Sequence, residues 1–247
     1  MSIESYEQLM ALKEVGRICQ LALRAMASFV RPGVTTLEVA AVGSGIMRGN
    51  GARSAPAMVY GFPGDVCISI NDEAVHGIPG SRRIRPGDLV KLDVTFEKNG
   101  FMGDAAITVP IEPVTGEARR LVSCAERAFD QAMRVARAHH RVNEIGRVVE
   151  REVKRSGFSV IRALGGHGIG RTIHEPPSVP NFNDAAARQR LTSGLVLTVE
   201  PIIAMGVGRS VTAEDGWTER TADGSLSAHF EHTIVITERA PILLTAA

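Results

Sequence analysis

Cysteine is scarce in this chain, and neither sign of charge is in excess. The 247 residues include three cysteines, Cys19, Cys67 and Cys124, with no Cys-x-x-Cys pair. This argues against a disulfide framework and a zinc knuckle and favours a reducing cytoplasm. Lysine and arginine number 28, aspartate and glutamate 27, and the formal net charge is +1. Without a global field of one sign, we expect neither DNA nor a membrane surface as a partner.

Long apolar segments are missing as well. The apolar runs are short and broken by charged residues or glycine, whereas a membrane-spanning helix needs about 20 apolar residues. The first residues, Met1-Ser2-Ile3-Glu4, do not follow the basic-then-apolar order of a signal peptide. No internal repeat and no segment typical of an interdomain linker is visible. We therefore expect one domain spanning residues 1–247, monomeric and cytoplasmic.

Periodic apolar residues predict four helices. Thr35 with Glu38 three residues later is a capping-box pattern that begins the second helix. Asn143 is interpreted as the cap of the fourth, and Gly157 as its stop. The expected helices are Leu9 to Phe29, Thr36 to Arg48, one after Thr115, and one from Asn143 to Gly157.

Segments rich in Val, Ile, Thr and Phe, bounded by Gly, Pro or Asn, predict strands between and after the helices. The order is two helices and strands, then two helices and strands again. This indicates an α+β fold of two similar halves, with a mostly antiparallel sheet covered by helices on one face. The expected strands are 67–70, 88–97, 101–109, 158–164, 195–200 and 226–237.

Asn99-Gly100, between two alternating segments, is a strong signal for a two-residue hairpin turn of type I′. If the residues flanking this turn pair with each other, Thr95 faces Asp104, and Asp93 becomes the diagonal neighbour of Asp104 on the same face. Two adjacent carboxylates would repel each other unless a divalent cation lies between them. A one-residue shift in register would place the two carboxylates on opposite faces. A metal site and a pair of ordinary surface acids are therefore equally good interpretations of this pattern.

Three further polar residues, His167, Glu200 and Glu231, lie in or beside apolar strands. The glycines around His167 do not indicate a phosphate loop, because Pro176-Pro177 rather than a helix follows them. Each residue alone could be a structural histidine or an edge acid. Together with the two aspartates they form a mostly oxygen donor set, which suits Mn²⁺, Fe²⁺, Co²⁺ or Zn²⁺ in a two-metal arrangement.

The segments that carry these residues resemble the type I methionine aminopeptidases, metallopeptidases of the pita-bread fold. The resemblance covers nearly the whole chain and implies the compact bacterial form, with two pseudo-symmetric halves around a curved antiparallel sheet. The matching motifs, in order, are His76-Gly77-Ile78-Pro79, Leu92-Asp93-Val94-Thr95, Gly103-Asp104, Gly166-His167-Gly168-Ile169-Gly170, His174-Glu175-Pro176-Pro177, Thr198-Val199-Glu200-Pro201, Asp215-Gly216-Trp217-Thr218 and Ser227-Ala228-His229-Phe230-Glu231-His232-Thr233.

The resemblance implies two divalent cations, with Asp104 and Glu231 bridging them and Thr95 bonded to a metal water. A metal-bridging hydroxide would attack the first peptide bond of proteins that begin with methionine and a small second residue. The implied metal ligands are Asp93, Asp104, His167, Glu200 and Glu231.

The resemblance also implies roles for side chains beside the metals. Glu200 would carry the proton, and His76 and His174 would contact the scissile peptide and stabilise the oxyanion. Asn71 and Ser227 match positions that hold a monovalent cation in relatives.

By position, Phe62, Cys67 and Trp217 would line the pocket for the first residue. Where many relatives have aromatic walls, this sequence has Val59 and Ile173. The sequence therefore predicts a wider pocket with a weaker preference for methionine.

The implied partners are the N-termini of nascent polypeptides. Arg82, Arg83 and Arg85 form a basic cluster that would suit docking on the ribosome, although a solvated loop explains it equally well. Two other classes share this fold: Xaa-Pro dipeptidases, which carry an additional N-terminal domain, and noncatalytic binding modules. Assays for peptide cleavage distinguish them.

Overall fold

Five helices are present in the computed structural model, which describes residues 1–246. Four of them lie where the apolar periodicity predicts helices. The third was not predicted, because its six residues are too few to show a periodic pattern. The helices are α1 (Tyr6–Phe29), α2 (Thr36–Gly49), α3 (Ala55–Tyr60), α4 (Gly116–Met133) and α5 (Val142–Arg155). Within the described chain, each helix lacks the length or the apolar character needed to cross a membrane.

The helix starts follow local hydrogen bonds. At α2 the Thr35 hydroxyl accepts from the backbone N–H of Glu38, and the Glu38 carboxylate accepts from that of Thr35, which is the predicted capping box. The prediction that Asn143 caps α5 is wrong. That helix begins at Val142, two residues earlier than a cap at Asn143 would place it, and the carboxylate of Glu144 accepts from the backbone N–H of Arg141. An acidic side chain in the first turn is favourable at a helix N-terminus.

Fifteen short strands complete the described structure. Two predicted strands are shorter than expected: 158–164 is extended only at its start, and 226–237 is interrupted at Phe230, so that its two parts join different sheets. The strands are β1 (Arg53–Ser54), β2 (Cys67–Ile70), β3 (Glu73–Val75), β4 (Leu89–Lys98), β5 (Phe101–Pro110), β6 (Ser159–Val160), β7 (Gly165–Gly168), β8 (Glu175–Pro180), β9 (Val196–Val199), β10 (Ile202–Ala204), β11 (Ser210–Thr212), β12 (Glu219–Thr221), β13 (Ser227–His229), β14 (Glu231–Val235) and β15 (Ile242–Leu243).

The largest sheet takes strands from both halves of the chain. Its order is β1-β4-β5-β14-β9-β7-β8, with β2 also paired to β4 and β15 to β14, and its pairs are antiparallel. The halves meet where β5 pairs with β14, through Glu231 opposite Ala106 and His232 opposite Ala105. Two three-stranded sheets, β13-β10-β6 and β11-β12-β3, flank it. The α+β prediction is confirmed.

Apolar packing divides into two large clusters that follow the two helix pairs. In one, Leu12 and Met26 of α1 belong with Phe96 of β4, and in the other Val149 of α5 belongs with Leu197 of β9. The helices thus bury their apolar faces against the sheet. Polar side chains of the same strands lie on the opposite face.

The hairpin of β4 and β5 has the predicted turn and register. Asn99 and Gly100 both have positive φ values, 54° and 80°, as a type I′ turn requires. Thr95 lies directly opposite Asp104. Because side chains alternate along a strand, Asp93 and Asp104 share one face of the sheet.

Candidate metal centre and substrate cavity

Three neighbouring strands bring carboxylates together on the polar face of the large sheet. Ala106 of β5 lies between Asp93 of β4 and Glu231 of β14 in one row. Asp104 is two residues from Ala106 and therefore points to the same side. The small side chain of Ala106 leaves the space between these carboxylates open.

His167 and Glu200 approach this group from β7 and from the end of β9. His167 Nε2 is 3.5 Å from Glu200 Oε1 and 3.9 Å from Asp104 Oδ2. Its Nδ1 lies 3.0 Å from the carbonyl oxygen of Gly168, which favours a proton on Nδ1 and a free lone pair on Nε2. The Thr198 hydroxyl accepts from the backbone N–H of His167 and donates to Glu200 Oε1. One side chain therefore holds both residues in place.

His229 is a site residue that was not predicted from the sequence. It is 2% exposed, and its Nε2 lies 3.3 Å from Glu231 Oε2 and 3.8 Å from Glu200 Oε2. Within the described residues, neither ring nitrogen has a hydrogen-bond partner, and neither does Glu231 Oε1. Its position two residues before Glu231 is the feature of the sequence that could have identified it as a site residue.

Burial raises the pKa values of all four carboxyl groups. For Asp104 and Glu200 the pKa rises to about 7, chiefly because burial disfavours the charged form. For Asp93 and Glu231 burial, followed by the neighbouring carboxylates, raises the pKa well above its usual value. Burial lowers the pKa of the His229 imidazole to about 3. Without a cation, the cluster retains protons near neutral pH.

The donor set fits divalent cations. Two groups of three residues each place their donor atoms within 4.8 Å of one another: Asp104 with His167 and Glu231, and Glu200 with His229 and Glu231. Buried polar atoms without partners are rare and unfavourable, and a cation would supply partners for those of His229 and Glu231. Carboxylate and imidazole ligands suit Mn²⁺, Fe²⁺, Co²⁺ or Zn²⁺.

A cavity of about 230 Å³ opens onto this cluster. The structure places Phe62, Cys67, Ile173 and Trp217 in its lining. Phe62 packs edge to face against Trp217, with ring centroids 5.3 Å apart. Burial raises the pKa of the Cys67 thiol well above its usual value, so the thiol stays neutral. This part of the cavity is therefore apolar.

The prediction that Val59 forms a wall of the cavity is wrong. Pro56 and Tyr60 of α3 line the cavity, whereas Val59 is 46% exposed and is not part of that lining. Residues four apart lie on the same side of a helix, and the residue next to Tyr60 is rotated away by about 100°. Tyr60 thus supplies an aromatic ring at this edge.

His76 and His174 both border the cavity. The His174 ring centroid is 4.2 Å from that of His167, and its Nδ1 is 2.5 Å from the Tyr60 hydroxyl. Burial and the neighbouring histidines lower the pKa of His174 to about 4, so it is neutral at pH 7. His76 has a positive φ of 59°, and its carbonyl oxygen accepts from the Thr218 hydroxyl at 3.4 Å.

Two further predicted contacts differ in detail. The Thr95 hydroxyl donates to Asp104 Oδ1 at 2.9 Å, so it holds a carboxylate of the cluster directly. The oxygens of Asn71 and Ser227, which were predicted to hold a monovalent cation, accept hydrogen bonds from the Lys91 ammonium. The side-chain ammonium of Lys91 therefore lies at the position where a free monovalent cation was expected.

The basic cluster Arg82, Arg83 and Arg85 is partly engaged within the protein. Arg82 Nη1 is 2.6 Å from a carboxylate oxygen of Glu73, and Arg83 Nη1 donates to the carbonyl oxygen of Gly33 at 2.6 Å. These contacts give two of the three arginines a structural role.

Comparison with known proteins agrees with this geometry. Residues 10–238 match the model of metallopeptidase family M24. Methionine aminopeptidase 2 of Bacillus subtilis is 41% identical over 247 residues, which cover 99% of both chains. The methionine aminopeptidase of Clostridium perfringens is 39% identical over 234 residues, 95% of this chain and 94% of the other.

Solved structures show the same fold. The crystal structure of methionine aminopeptidase from Rickettsia prowazekii superposes with a TM-score of 0.95 at 31% identity, over 100% of both chains. A prolidase from Pyrococcus furiosus, 22% identical with a TM-score of 0.81, shares the fold alone, and the match covers 65% of that chain. The protein described here has the pita-bread fold and belongs to metallopeptidase family M24, among the methionine aminopeptidases.

Proposed function

We propose that this protein is a hydrolase that removes N-terminal methionine from nascent proteins and peptides with a small second residue. The observation that carries the proposal is the buried cluster of four carboxylates and two imidazoles at the base of an apolar cavity. The relatives that are 41% and 35% identical to this chain are named for the same activity. The whole of residues 1–247 would act as one catalytic unit.

Two divalent cations would be held by the carboxylates and His167. Glu231 belongs to both groups of donors, and Asp104 lies beside it on the same face, which supports a role for both residues as ligands. When bound, such cations polarise the peptide carbonyl and lower the pKa of water to near neutrality. The proposed ligands are Asp93, Asp104, His167, Glu200 and Glu231.

Glu200 would transfer the proton from water to the leaving amine. Its Oε1 is held by the Thr198 hydroxyl at 2.9 Å, which fixes the carboxylate at the edge of the cavity. Burial raises its pKa to about 7, and a general base works best when its pKa lies near the working pH.

His174 would stabilise the negative charge that develops on the peptide oxygen. When Nδ1 accepts from the Tyr60 hydroxyl, the proton of the neutral ring is on Nε2, which becomes a hydrogen-bond donor. His76, on the same cavity, would bind the peptide from a second side. Both imidazoles would act in their neutral form.

The apolar lining would select the first side chain. Phe62, Cys67, Ile173 and Trp217 present aromatic, aliphatic and sulfur surfaces, which pack well against a flexible thioether. We propose that methionine binds there, with Tyr60 at the rim.

The cellular setting follows from the substrate. We propose that the protein acts as a monomer in the cytoplasm, on nascent chains at the ribosome. Arg82, Arg83 and Arg85 are the candidate docking cluster. If it binds ribosomal RNA, replacing all three by alanine should weaken association with purified ribosomes and reduce its dependence on salt.

A panel of peptides tests the function. Protein loaded with Mn²⁺ or Co²⁺ should release the first residue from Met-Ala and Met-Gly peptides, poorly from Leu-Ala and not from Ala-Pro. The matched control is Glu200→Gln, which keeps the shape of the side chain and should lower turnover by about 100-fold or more. Preferred cleavage of Ala-Pro would indicate an Xaa-Pro peptidase. Metal binding without cleavage of any peptide would indicate a binding module.

A further inference from the structure

Lys91 is a buried lysine whose amino group is held by neutral oxygens. It lies on β4, two residues before Asp93, and is 1% exposed. Its ammonium contacts the carbonyl oxygen of Asn71 at 2.6 Å, the hydroxyl of Ser227 at 3.1 Å and the carbonyl oxygen of Ser227 at 3.3 Å. Within residues 1–246, no carboxylate forms an ion pair with it. A buried charge normally requires a charged partner, so this arrangement resembles the coordination of a small monovalent ion by carbonyl and hydroxyl oxygens.

The oxygens around Lys91 belong to two segments that are far apart in the sequence. Asn71 has a positive φ of 60°, and its side chain is fixed by hydrogen bonds to Asp88 and to the backbone N–H of Leu89. Its carbonyl oxygen also accepts from the N–H and the hydroxyl of Ser227, at 3.0 and 2.8 Å. Several donors therefore share one carbonyl oxygen, which ties the Asn71 turn, the start of β13 and the Lys91 amino group together.

Both segments lead into the metal centre and the cavity. Ser227 begins β13, which ends at His229, two residues before Glu231. On the other side, Asn71 precedes β3, which leads to His76. Lys91 thus lies between the backbone that carries a proposed metal ligand and the backbone that carries a substrate-contacting histidine.

A second side chain of the same hairpin holds β13 in a different way. Thr108 lies opposite Lys91 in the β4–β5 pairing. Its hydroxyl accepts from the backbone N–H of His229 at 2.9 Å and donates to the carbonyl oxygen of the same residue at 2.8 Å. It contributes no charge, so it offers a matched control for Lys91.

We propose that Lys91 is a built-in monovalent cation. Its ammonium takes the place of a bound Na⁺ or K⁺, joins the Asn71 turn to the Ser227 strand, and so positions Glu231 and His76. The protein therefore works without Na⁺ or K⁺. The binding part of this inference depends on the contacts of Lys91 alone, whereas its effect on turnover rests on the proposed function.

Lys91→Ala and Lys91→Met separate charge from packing. Alanine removes the ammonium and leaves a space lined by three oxygens, which K⁺ can enter, whereas methionine fills the space with an uncharged chain. Thermal melting of the metal-free proteins is measured in KCl and in choline chloride at equal ionic strength. We expect Lys91→Ala to lose stability in choline chloride and to recover most of it in KCl. The melting temperatures of wild type, Lys91→Met and Thr108→Val should be the same in the two salts.

The same salts are then compared in turnover of a Met-Ala peptide. The kcat of Lys91→Ala should rise by about 10-fold or more in KCl, a typical effect for a residue that positions metal ligands, while wild type stays constant. A wild-type protein whose turnover requires K⁺ would overturn the inference. A Lys91→Ala variant that has the same melting temperature in both salts, or that folds in neither salt, would also overturn it. If melting responds as expected but wild type cleaves no peptide, the built-in cation stands and the proposed function fails.

Discussion

His229 has an environment that is difficult to satisfy without a metal. Its ring is buried between two carboxyl groups, its nitrogens have no partner within the described chain, and burial keeps it neutral. A neutral imidazole with a free lone pair is the form that binds a transition metal. This residue is therefore suited to contact a cation directly or to orient Glu231 toward one.

Replacing His229 tests this interpretation. His229→Ala should weaken Mn²⁺ binding by about 10- to 100-fold, as expected for loss of a ligand or of its orienting partner. His229→Gln, which keeps a polar atom in the space, should lose less. Isothermal titration of metal-free protein with Mn²⁺ measures both. Equal affinities in wild type and the alanine variant would show that the imidazole only fills space.

Substitutions at Ile173 and at Val59 should differ in their effect on substrate specificity. Ile173 is buried in the cavity lining, so Ile173→Phe should narrow the cavity and increase the preference for methionine over leucine at the first position. Contact with about one methylene group changes such discrimination by about 1–3 kcal/mol. Val59→Phe is the matched control, because Val59 is exposed and does not line the cavity. The ratio of kcat/KM for Met-Ala and Leu-Ala peptides is the measurement, and an unchanged ratio in Ile173→Phe contradicts the assignment.

Among the elements, the β4–β5 hairpin was predictable because the residues that determine its turn and register are close together in the sequence. Asn99-Gly100 specifies the turn, the turn specifies the register, and the register puts Asp93 and Asp104 on one face. Helix α3 was not predictable in the same way, because six residues show no period. The missing helix explains the error at Val59: without the helical phase, its side chain cannot be assigned a direction.

The break at Phe230 had no local signal either. Residues 226–237 have a continuous β pattern, but β13 pairs with β10 whereas β14 pairs with β5 and β9. Partner choice of this kind depends on distant parts of the chain. The motifs located the carboxylates and His167, while His229 and the ammonium of Lys91 emerged only when separate strands were brought together.

The hairpin turn should control metal binding at a distance. Gly100 has a φ of 80°, a conformation that costs a residue with a side chain about 1–2 kcal/mol. Gly100→Ala should therefore lower the melting temperature and weaken Mn²⁺ binding, because the strain disturbs the register of the two aspartates. Gly116→Ala, at the start of α4 where an added methyl group has open space, is the control and should lower neither property, since alanine is compatible with a helix at this position. Unchanged Mn²⁺ affinity in Gly100→Ala would show that strand pairing fixes the register without the turn.

For the molecule as a whole, the cluster makes stability depend on pH. In the metal-free protein, burial raises the pKa values of Asp104 and Glu200 to about 7 from 3.8 and 4.5. Between these limits the two carboxyl groups hold more protons in the folded than in the unfolded state, so their contribution to stability falls as the pH rises from about 4 to 7. The buried neutral imidazoles of His174 and His229 contribute in the opposite direction up to about pH 6.5. Bound metal removes this penalty by taking the place of the protons.

Melting curves at pH 5 and pH 8 test the sign of this effect. With a chelator present, the melting temperature of wild type relative to that of Glu231→Gln should be lower at pH 8 than at pH 5, because the histidines contribute equally to both proteins. Saturating Mn²⁺ should raise the melting temperature most at pH 8. Glu231→Gln removes one titrating carboxyl group from the cluster and is therefore the reference protein for this comparison. A difference in melting temperature between the two chelated proteins that does not change with pH would contradict the proposed protonation.

The narrow junction between β5 and β14 also affects how the chain folds as it is synthesised. Within residues 1–246, the two strands share two residue pairs, while Asp93 and Asp104 meet through a local turn long before Glu231 leaves the ribosome. A contact between residues so distant in sequence forms late, because closing a long loop costs entropy. The nascent first half therefore carries two of the five proposed ligands, and cation capture would belong to the last stage of folding. Cellular metal supply would then influence the yield of folded protein as well as its turnover.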